Sequence, residues 1–182
     1  MQAFKDLPFP TSLRAMQSFL GCLNFFARFI ENFSIAAGCL YELKDEQLKK
    51  GTDLDKAKKA FLHLKQQYIQ MPILKHPKRG EPFHIVLYTT PWAISATVCQ
   101  LHDDILHPVR FCSRILKQSE LQHEPWAKEI LALLRVLRVS YYELIGQDLL
   151  VYTQFKVPQW ATEFKRTRKD HVEWSVLLAP WH

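Results

Sequence analysis

The sequence predicts a mixed α/β protein: a helical lead-in followed by a mixed β-sheet with helices packed on it, in the order β-β-β-α-β-α. Three observations carry this expectation. The apolar periodicity changes from helical to strand-like at Phe83. Just before that change, Met71-Pro72 and the stretch ILKHPKRGEP (73–82) end the helical part, because proline lacks an amide donor and clashes with the preceding turn. Beyond it, three β-like runs precede one long helical stripe and a further short β-branched run, the pattern of a sheet with helices on it. The chain is thereby expected to divide into a helical region 1–72, a linker 73–82 and a second unit 83–182.

The elements follow in order. Residues 1–11 read as extended, ending in the turn Pro8-Phe9-Pro10, and Thr11 is expected to cap a helix from Ser12 to Arg28 with Leu13, Met16, Phe19, Leu20 and Leu23 on its apolar face. The run FFARFI (25–30) supplies aromatic side chains either for a small helical core or for stacking on nucleotides. Ser34 is expected to cap a second helix, residues 44–52 to form a charged connection, and Asp53 to open a third helix. That third helix sets Ala57, Ala60, Phe61, Leu64 and Tyr68 on one face and Lys56, Lys58, Lys59 and Lys65 on the other. In the second unit, strands are predicted over Phe83–Leu87, Ala93–Leu101 and His107–Cys112, with a turn at Asp103-Asp104. Pro125 suits the first turn of a long helix carrying Ile130, Leu133, Leu134, Leu137, Tyr141 and Leu144, closed by Gly146. Leu149–Thr153 reads as the fourth strand, KRTRKD (165–170) as a basic run, and Val172–Leu178 as a last helix.

Composition bounds the function. Of 182 residues, 48% are hydrophobic and 23% charged, the balance of a folded globular chain. A net charge of +6 is compatible with a polyanionic partner. Cys22, Cys39, Cys99 and Cys112 are far apart in apolar surroundings, which excludes a disulfide framework and suits a reducing, intracellular compartment, cytoplasm or nucleus. The opening MQAFKDLPFPTS has neither the cationic start nor the apolar run of a signal peptide, and no apolar run approaches the roughly 18 residues that span a bilayer, so no membrane partner is expected.

Catalytic motifs are sparse. The chain holds no Gly-rich phosphate loop, no GxSxG elbow, no HExxH and no paired CxxC. Cys99, His102, His107 and Cys112 have the spacing of a zinc knuckle, but they fall on two strands whose side chains alternate between faces, so an ordinary hairpin is expected and no metal is assigned. Glu129 opens the apolar stripe of the long helix. From its spacing it is either a metal ligand or an exposed carboxylate at the rim of the core, complementing the helix dipole. Asp103, Asp104 and Asp148 sit at turns or strand starts and are poor ligand candidates.

An ordered set of motifs carries a family resemblance. Ser18-Phe19-Leu20-Gly21 is followed by Asn24-Phe25-Phe26, Arg28-Phe29-Ile30 and Asn32-Phe33-Ser34. Then come Ala60-Phe61 with Leu64-Lys65, and Pro72-Ile73-Leu74 with Pro77. His107-Pro108-Val109, Ser113-Arg114 with Leu116, Glu120, Lys128-Glu129 with Leu131-Ala132, and Gly146 complete the set. In this order the motifs resemble the polymerase polyprotein of Gypsy-type long-terminal-repeat retrotransposons, from the thumb- or connection-like end of reverse transcriptase through its RNase H-like domain. The resemblance implies an RNase H-like sheet that stops before its fifth strand.

The departures bear on chemistry. The family's first strand ends in a Thr-Asp-Ala-Ser motif whose aspartate binds metal; counting from Phe83 to Gln100, Tyr88 takes its place. The helix glutamate is matched by Glu129. The aspartate of the family's Thr-Asp-His motif is replaced by Gln154, in Thr153-Gln154-Phe155. The family uses Mg²⁺ or Mn²⁺, and hydrolysis by a metal pair about 3.5–4 Å apart needs several converging carboxylates. A phenol is uncharged at neutral pH and a carboxamide carries no charge. By resemblance, then, Glu129 is the one retained catalytic acid, no cofactor is expected, and the residual role is binding or structural. The implied ligand is an RNA–DNA hybrid or duplex held without sequence reading, with Lys56, Lys59, Lys65, Arg114, Lys165, Arg166, Arg168 and Lys169 as candidate phosphate contacts. Two other readings stay open: an active hybrid ribonuclease or polymerase subunit drawing ligands from other acids, and a module repurposed to bind a protein partner or the remainder of a polyprotein.

Overall fold

In the computed structural model, residues 2–50, 54–155, 174, 176–179 and 181 are described. The helical region consists of α1 (Gln2–Lys5), α2 (Leu13–Phe25), a 3-10 turn (Ala27–Phe29), α3 (Phe33–Tyr41), α4 (Asp45–Lys50) and α5 (Asp55–Ile69). The second unit holds β1 (Phe83–Thr89), β2 (Ala93–His102), β3 (Ile105–Ile115), a 3-10 turn (Gln118–Glu120), α6 (Pro125–Val139), α7 (Tyr141–Leu144) and β4 (Leu149–Tyr152). The mixed α/β class and the β-β-β-α-β order match the sequence expectation. The basic run 165–170 lies outside the described residues, as does most of the expected last helix, of which 174 and 176–178 are helical.

Several local expectations are corrected. Ser12, not Thr11, caps α2: its Oγ accepts from the Ala15 amide at 3.3 Å. The helix stops at Phe25 rather than Arg28, where the Phe26 amide bonds to Leu23 O and the chain tightens into the 3-10 turn. The second helix opens at Asn32, in the left-handed region at φ 52°, and Ser34 lies inside it. The connection at 44–52 contains α4. Asp53 lies outside the described residues, and Leu54 occupies the cap position of α5 without a side-chain bond. The long helix breaks at Ser140, whose amide bonds to Val136 O, so Tyr141 belongs to a separate turn while Leu144 is still fully buried. Gly146 closes that turn at φ +72° as expected. The strands run longer than predicted, β1 to Thr89 and β3 over Ile105–Ile115. Asp103 and Asp104 form the two-residue hairpin loop, both at positive φ, a conformation that short aspartate side chains tolerate.

The sheet has the order β3-β2-β1-β4. β1 pairs antiparallel with β2, β2 antiparallel with β3, and β1 parallel with β4. Strand alternation sends Phe83, Ile85, Leu87, Ile94, Ala96, Val98 and Cys112 to one face, where they meet Ile130, Leu133, Val136 and Leu137 of α6. Ile85 and Ile130 are fully buried, and each such side chain contributes about 1.5–3 kcal/mol on leaving water.

A second core lies within the helical region, built on rings: Phe19 packs on Phe61 with centroids 4.5 Å apart, Phe9 meets Phe61 edge-on, and Phe4 lies 4.3 Å from Tyr68. Of the FFARFI run, Phe26 joins this core's margin against Tyr68, while Phe25 is 81% exposed.

The helical region does not stand apart from the sheet. α3 and the first 3-10 turn pack on β2 and β3 over the face opposite α6. There the Ser34 amide donates to Ser113 Oγ at 3.0 Å, and Ser113 Oγ donates to Ser34 Oγ at 3.1 Å. β2 is covered on both faces, which explains its near-continuous burial. The stretch 73–82, expected as a linker, is fastened to the hairpin. Gln100, fully buried, accepts from the Lys78 amide at 2.8 Å and donates to Lys78 O and Glu81 O at 3.1 and 2.9 Å. The Lys75 amide adds a bond to Pro108 O at 3.0 Å.

The contact of α3 with the β1–β2 turn is tight. A Cβ on Gly38 would stand 3.2 Å from Trp92 Nε1 and 3.3 Å from its Cδ1. Alanine ordinarily gains about 1 kcal/mol over glycine inside a helix. Gly38→Ala is therefore expected to gain nothing or to destabilise in the native background, and to recover the helical gain in a Trp92→Ala background. Denaturant unfolding of the four chains of this double-mutant cycle measures the coupling.

Candidate functional site

The parallel pairing of β1 and β4 sets their carboxyl ends side by side, where ligands bind in open α/β sheets. A cleft of about 350 Å³ opens there, lined among others by Tyr88, Tyr152, Thr153, Gln154, Thr97 and Glu31. Tyr88 is the register neighbour of Ser95 on β2 and stands between Leu87 and Thr89, so it points away from the α6 core and is 45% exposed. Glu31 reaches the cleft from the turn before α3, so the helical region forms part of its wall.

Glu129 lies behind this cleft and is fully buried. It is not the exposed rim carboxylate that its spacing allowed. Pro125 starts α6 and sets Glu129 in its second turn, facing the end of β4. Thr153 Oγ1 donates to one carboxylate oxygen, and the Gln154 amide donates to the other at 3.3 Å. Thr153 Oγ1 also accepts from the Phe155 amide at 3.0 Å, which shapes the turn after β4. A buried carboxylate without such donors would be strongly destabilising. Beside it, Lys128 Nζ donates to Pro91 O at 3.1 Å and fastens α6 to the β1–β2 turn, where Thr90 Oγ1 accepts from the Ala93 amide at 3.0 Å. Tyr88 and Gln154 share the cleft, and Glu129 bonds the backbone of Gln154.

This donor set does not suit a divalent pair. Among the described residues, no group of three His, Cys, Asp or Glu side chains is placed to hold a metal ion. Tyr88 and Gln154 line the cleft with Glu31, and the two oxygens of the buried Glu129 are already engaged by protein donors. The knuckle-like spacing does not converge either. Cys112 packs in the α6 core opposite Ala96, whereas Cys99 alternates to the other face. Burial and then the nearby Glu31 carboxylate push the Cys99 thiol up to about 11.

The basic candidates separate by their partners. Lys56 and Lys59 are exposed on α5. Lys65 is half-buried, its Nζ donating to Leu7 O at 2.8 Å and lying 5.8 Å from the Phe61 ring centre. Arg114 is held in a fork by Glu120, at 2.6 and 2.8 Å. Burial raises the Glu120 carboxyl, but the Arg114 bonds and the Lys117 amide outweigh it and hold the group below its usual value. Lys65 and Arg114 are therefore tied into the protein. Lys165, Arg166, Arg168 and Lys169 lie outside the described residues. Sequence reading passed over Thr153 as a functional side chain; its place directly before Gln154, at a strand end, was the available signal.

Thr153→Val removes a hydroxyl donor from a buried carboxylate while keeping the side-chain shape. It is expected to lower stability by about 1–3 kcal/mol, and Glu129→Ala/Thr153→Val to cost less than the sum of the single changes. Urea unfolding monitored by circular dichroism measures both.

Comparison with known proteins adds the family. Residues 54–151 match the RNase H-like domain found in reverse transcriptase. Over 185 residues the chain is 27% identical to the retrovirus-related Pol polyprotein from transposon 297 of Drosophila melanogaster, and over 193 residues 28% identical to that from transposon opus of the same organism. These alignments cover the whole chain but only 17% and 19% of the two polyproteins, so the chain spans under a fifth of their length. Among solved structures, it superposes on a foamy viral protease–reverse transcriptase in complex with double-stranded DNA with a TM-score of 0.72 at 17% identity, covering the whole chain and 38% of that protein. The same viral protein in complex with an RNA/DNA hybrid gives 0.69 at 17% identity, over 98% of the chain and 24% of that protein. At such identity the likeness speaks for the fold alone. The chain belongs to the RNase H-like domain family found in reverse transcriptase, and its relatives are retrotransposon Pol polyproteins.

Proposed function

We propose that this chain is a nucleic-acid-binding, non-cleaving RNase H-like unit of a retroelement polyprotein. The reading rests on Tyr88 and Gln154, which the family resemblance sets at metal-binding positions: they line one cleft, and the buried Glu129 behind it bonds the backbone of Gln154. Two-metal phosphodiester hydrolysis needs several carboxylates to balance two divalent ions. One carboxylate, engaged by Thr153 and Gln154, does not supply that charge.

Binding rests on different support. The chain carries a net charge of +6, and the foamy viral proteins that share its fold were solved in complex with double-stranded DNA and with RNA/DNA hybrid. Exposed lysines such as Lys56 and Lys59 engage phosphates without reading bases, so affinity depends on salt rather than sequence.

The test is a combined binding and cleavage assay of the full chain on a labelled RNA–DNA hybrid, with and without Mg²⁺ or Mn²⁺. The expected outcome is binding that weakens steeply with salt and no strand cleavage at any metal concentration. Metal-dependent cleavage that disappears in Glu129→Gln would establish an active ribonuclease instead.

A further inference from the structure

We propose that Lys75, Lys78 and Arg79, held against the β2–β3 hairpin, form a pre-shaped contact for the sugar–phosphate backbone of a nucleic-acid duplex. This deepens the binding reading above and rests on it. The charge is dense: Lys75, His76, Lys78 and Arg79 fall within five residues, and all four are exposed. None of these side chains makes an ion pair or hydrogen bond among the described residues, unlike Lys65 and Arg114, which are committed to Leu7 and Glu120.

The backbone that carries these charges is fixed. Gln100 accepts from the Lys78 amide and donates to the carbonyls of Lys78 and Glu81, and the Lys75 amide bonds Pro108 O. Between those anchors the chain turns through Gly80 at φ +83°, a conformation glycine adopts without strain. A loop already ordered in the free protein loses less conformational entropy on binding, so its charges act at lower cost than those of a flexible tail.

The charges of the segment bear on the hairpin beneath it. His102 and His107 stand edge-to-face with ring centres 5.8 Å apart, and His102 Nε2 is buried without a hydrogen-bond partner. Burial, then Lys78, His107 and Lys75, lower the proton affinity of His102, while Asp103 acts in the opposite sense. Lys75 and Lys78 thus concentrate positive potential over the hairpin, which a polyanion laid across the segment offsets.

The full chain carrying Lys75→Gln, Lys78→Gln and Arg79→Gln tests the inference, with Lys56→Gln/Lys59→Gln and Gln100→Leu beside it. Fluorescence anisotropy on an RNA–DNA hybrid at several salt concentrations gives affinity and salt slope, and circular dichroism checks folding. The triple variant is expected to lose affinity by about tenfold or more at 0.1 M salt and to lower the salt slope by about three, near one per phosphate contact removed. Gln100→Leu keeps every charge and is expected to weaken binding by a smaller factor. A triple variant that binds as tightly as the native chain, with unchanged slope, overturns this contact and leaves the binding reading standing. A native chain without hybrid affinity at low salt overturns both.

Discussion

The contact on which the site depends is the buried carboxylate of Glu129, held by the Thr153 hydroxyl and the Gln154 amide. A charge taken fully out of water must be met by donors, so the end of β4 has to lie against the second turn of α6. That requirement sets the position of the edge strand, and with it the crevice between the carboxyl ends of β1 and β4. The same bonds that order the site also occupy both oxygens of Glu129. Glu129 thereby fastens the end of β4 to α6.

Around this contact the molecule is layered. α6 buries one face of the sheet, and α3 with its preceding turn buries β2 and β3 on the other. The helical region contributes Glu31 to the cleft and packs Gly38 against Trp92. The segment 73–82, pinned by Gln100, follows the hairpin. The cleft wall, the sheet and the segment 73–82 thus share one packed scaffold.

Much of this was legible in the chain. The change of period at Phe83, the Asp103-Asp104 turn, Pro125 at a helix start and Gly146 at a helix end each act locally, so sequence alone located them. The spacing from Phe83 to Gln100 placed Tyr88 at the strand end, and the structure puts it in the cleft with Gln154. What escaped was decided at a distance or between near-equals. Thr11 and Ser12 are both capable caps, and only the path of the chain into α2 selects Ser12. Ser34 looked like a cap but is needed against Ser113, 79 residues away. Arg114 looked free for phosphate until the 3-10 turn at Gln118–Glu120 brought Glu120 onto it. Gln100 gave no local sign of anchoring a segment 19 to 22 residues upstream.

The proposed lack of cleavage rests on Tyr88 and Gln154, which bring no carboxylate to the cleft between β1 and β4. Mn²⁺ binding by the full chain, followed by electron paramagnetic resonance, measures this directly, with the native protein compared against Tyr88→Asp/Gln154→Asp. Placing carboxylates at positions 88 and 154 is expected to create a Mn²⁺ site at least about tenfold tighter than anything in the native chain, since added ligand charge is what such hard cations require. Native Mn²⁺ binding that the double substitution fails to tighten would contradict a cleft that lacks metal-binding charge.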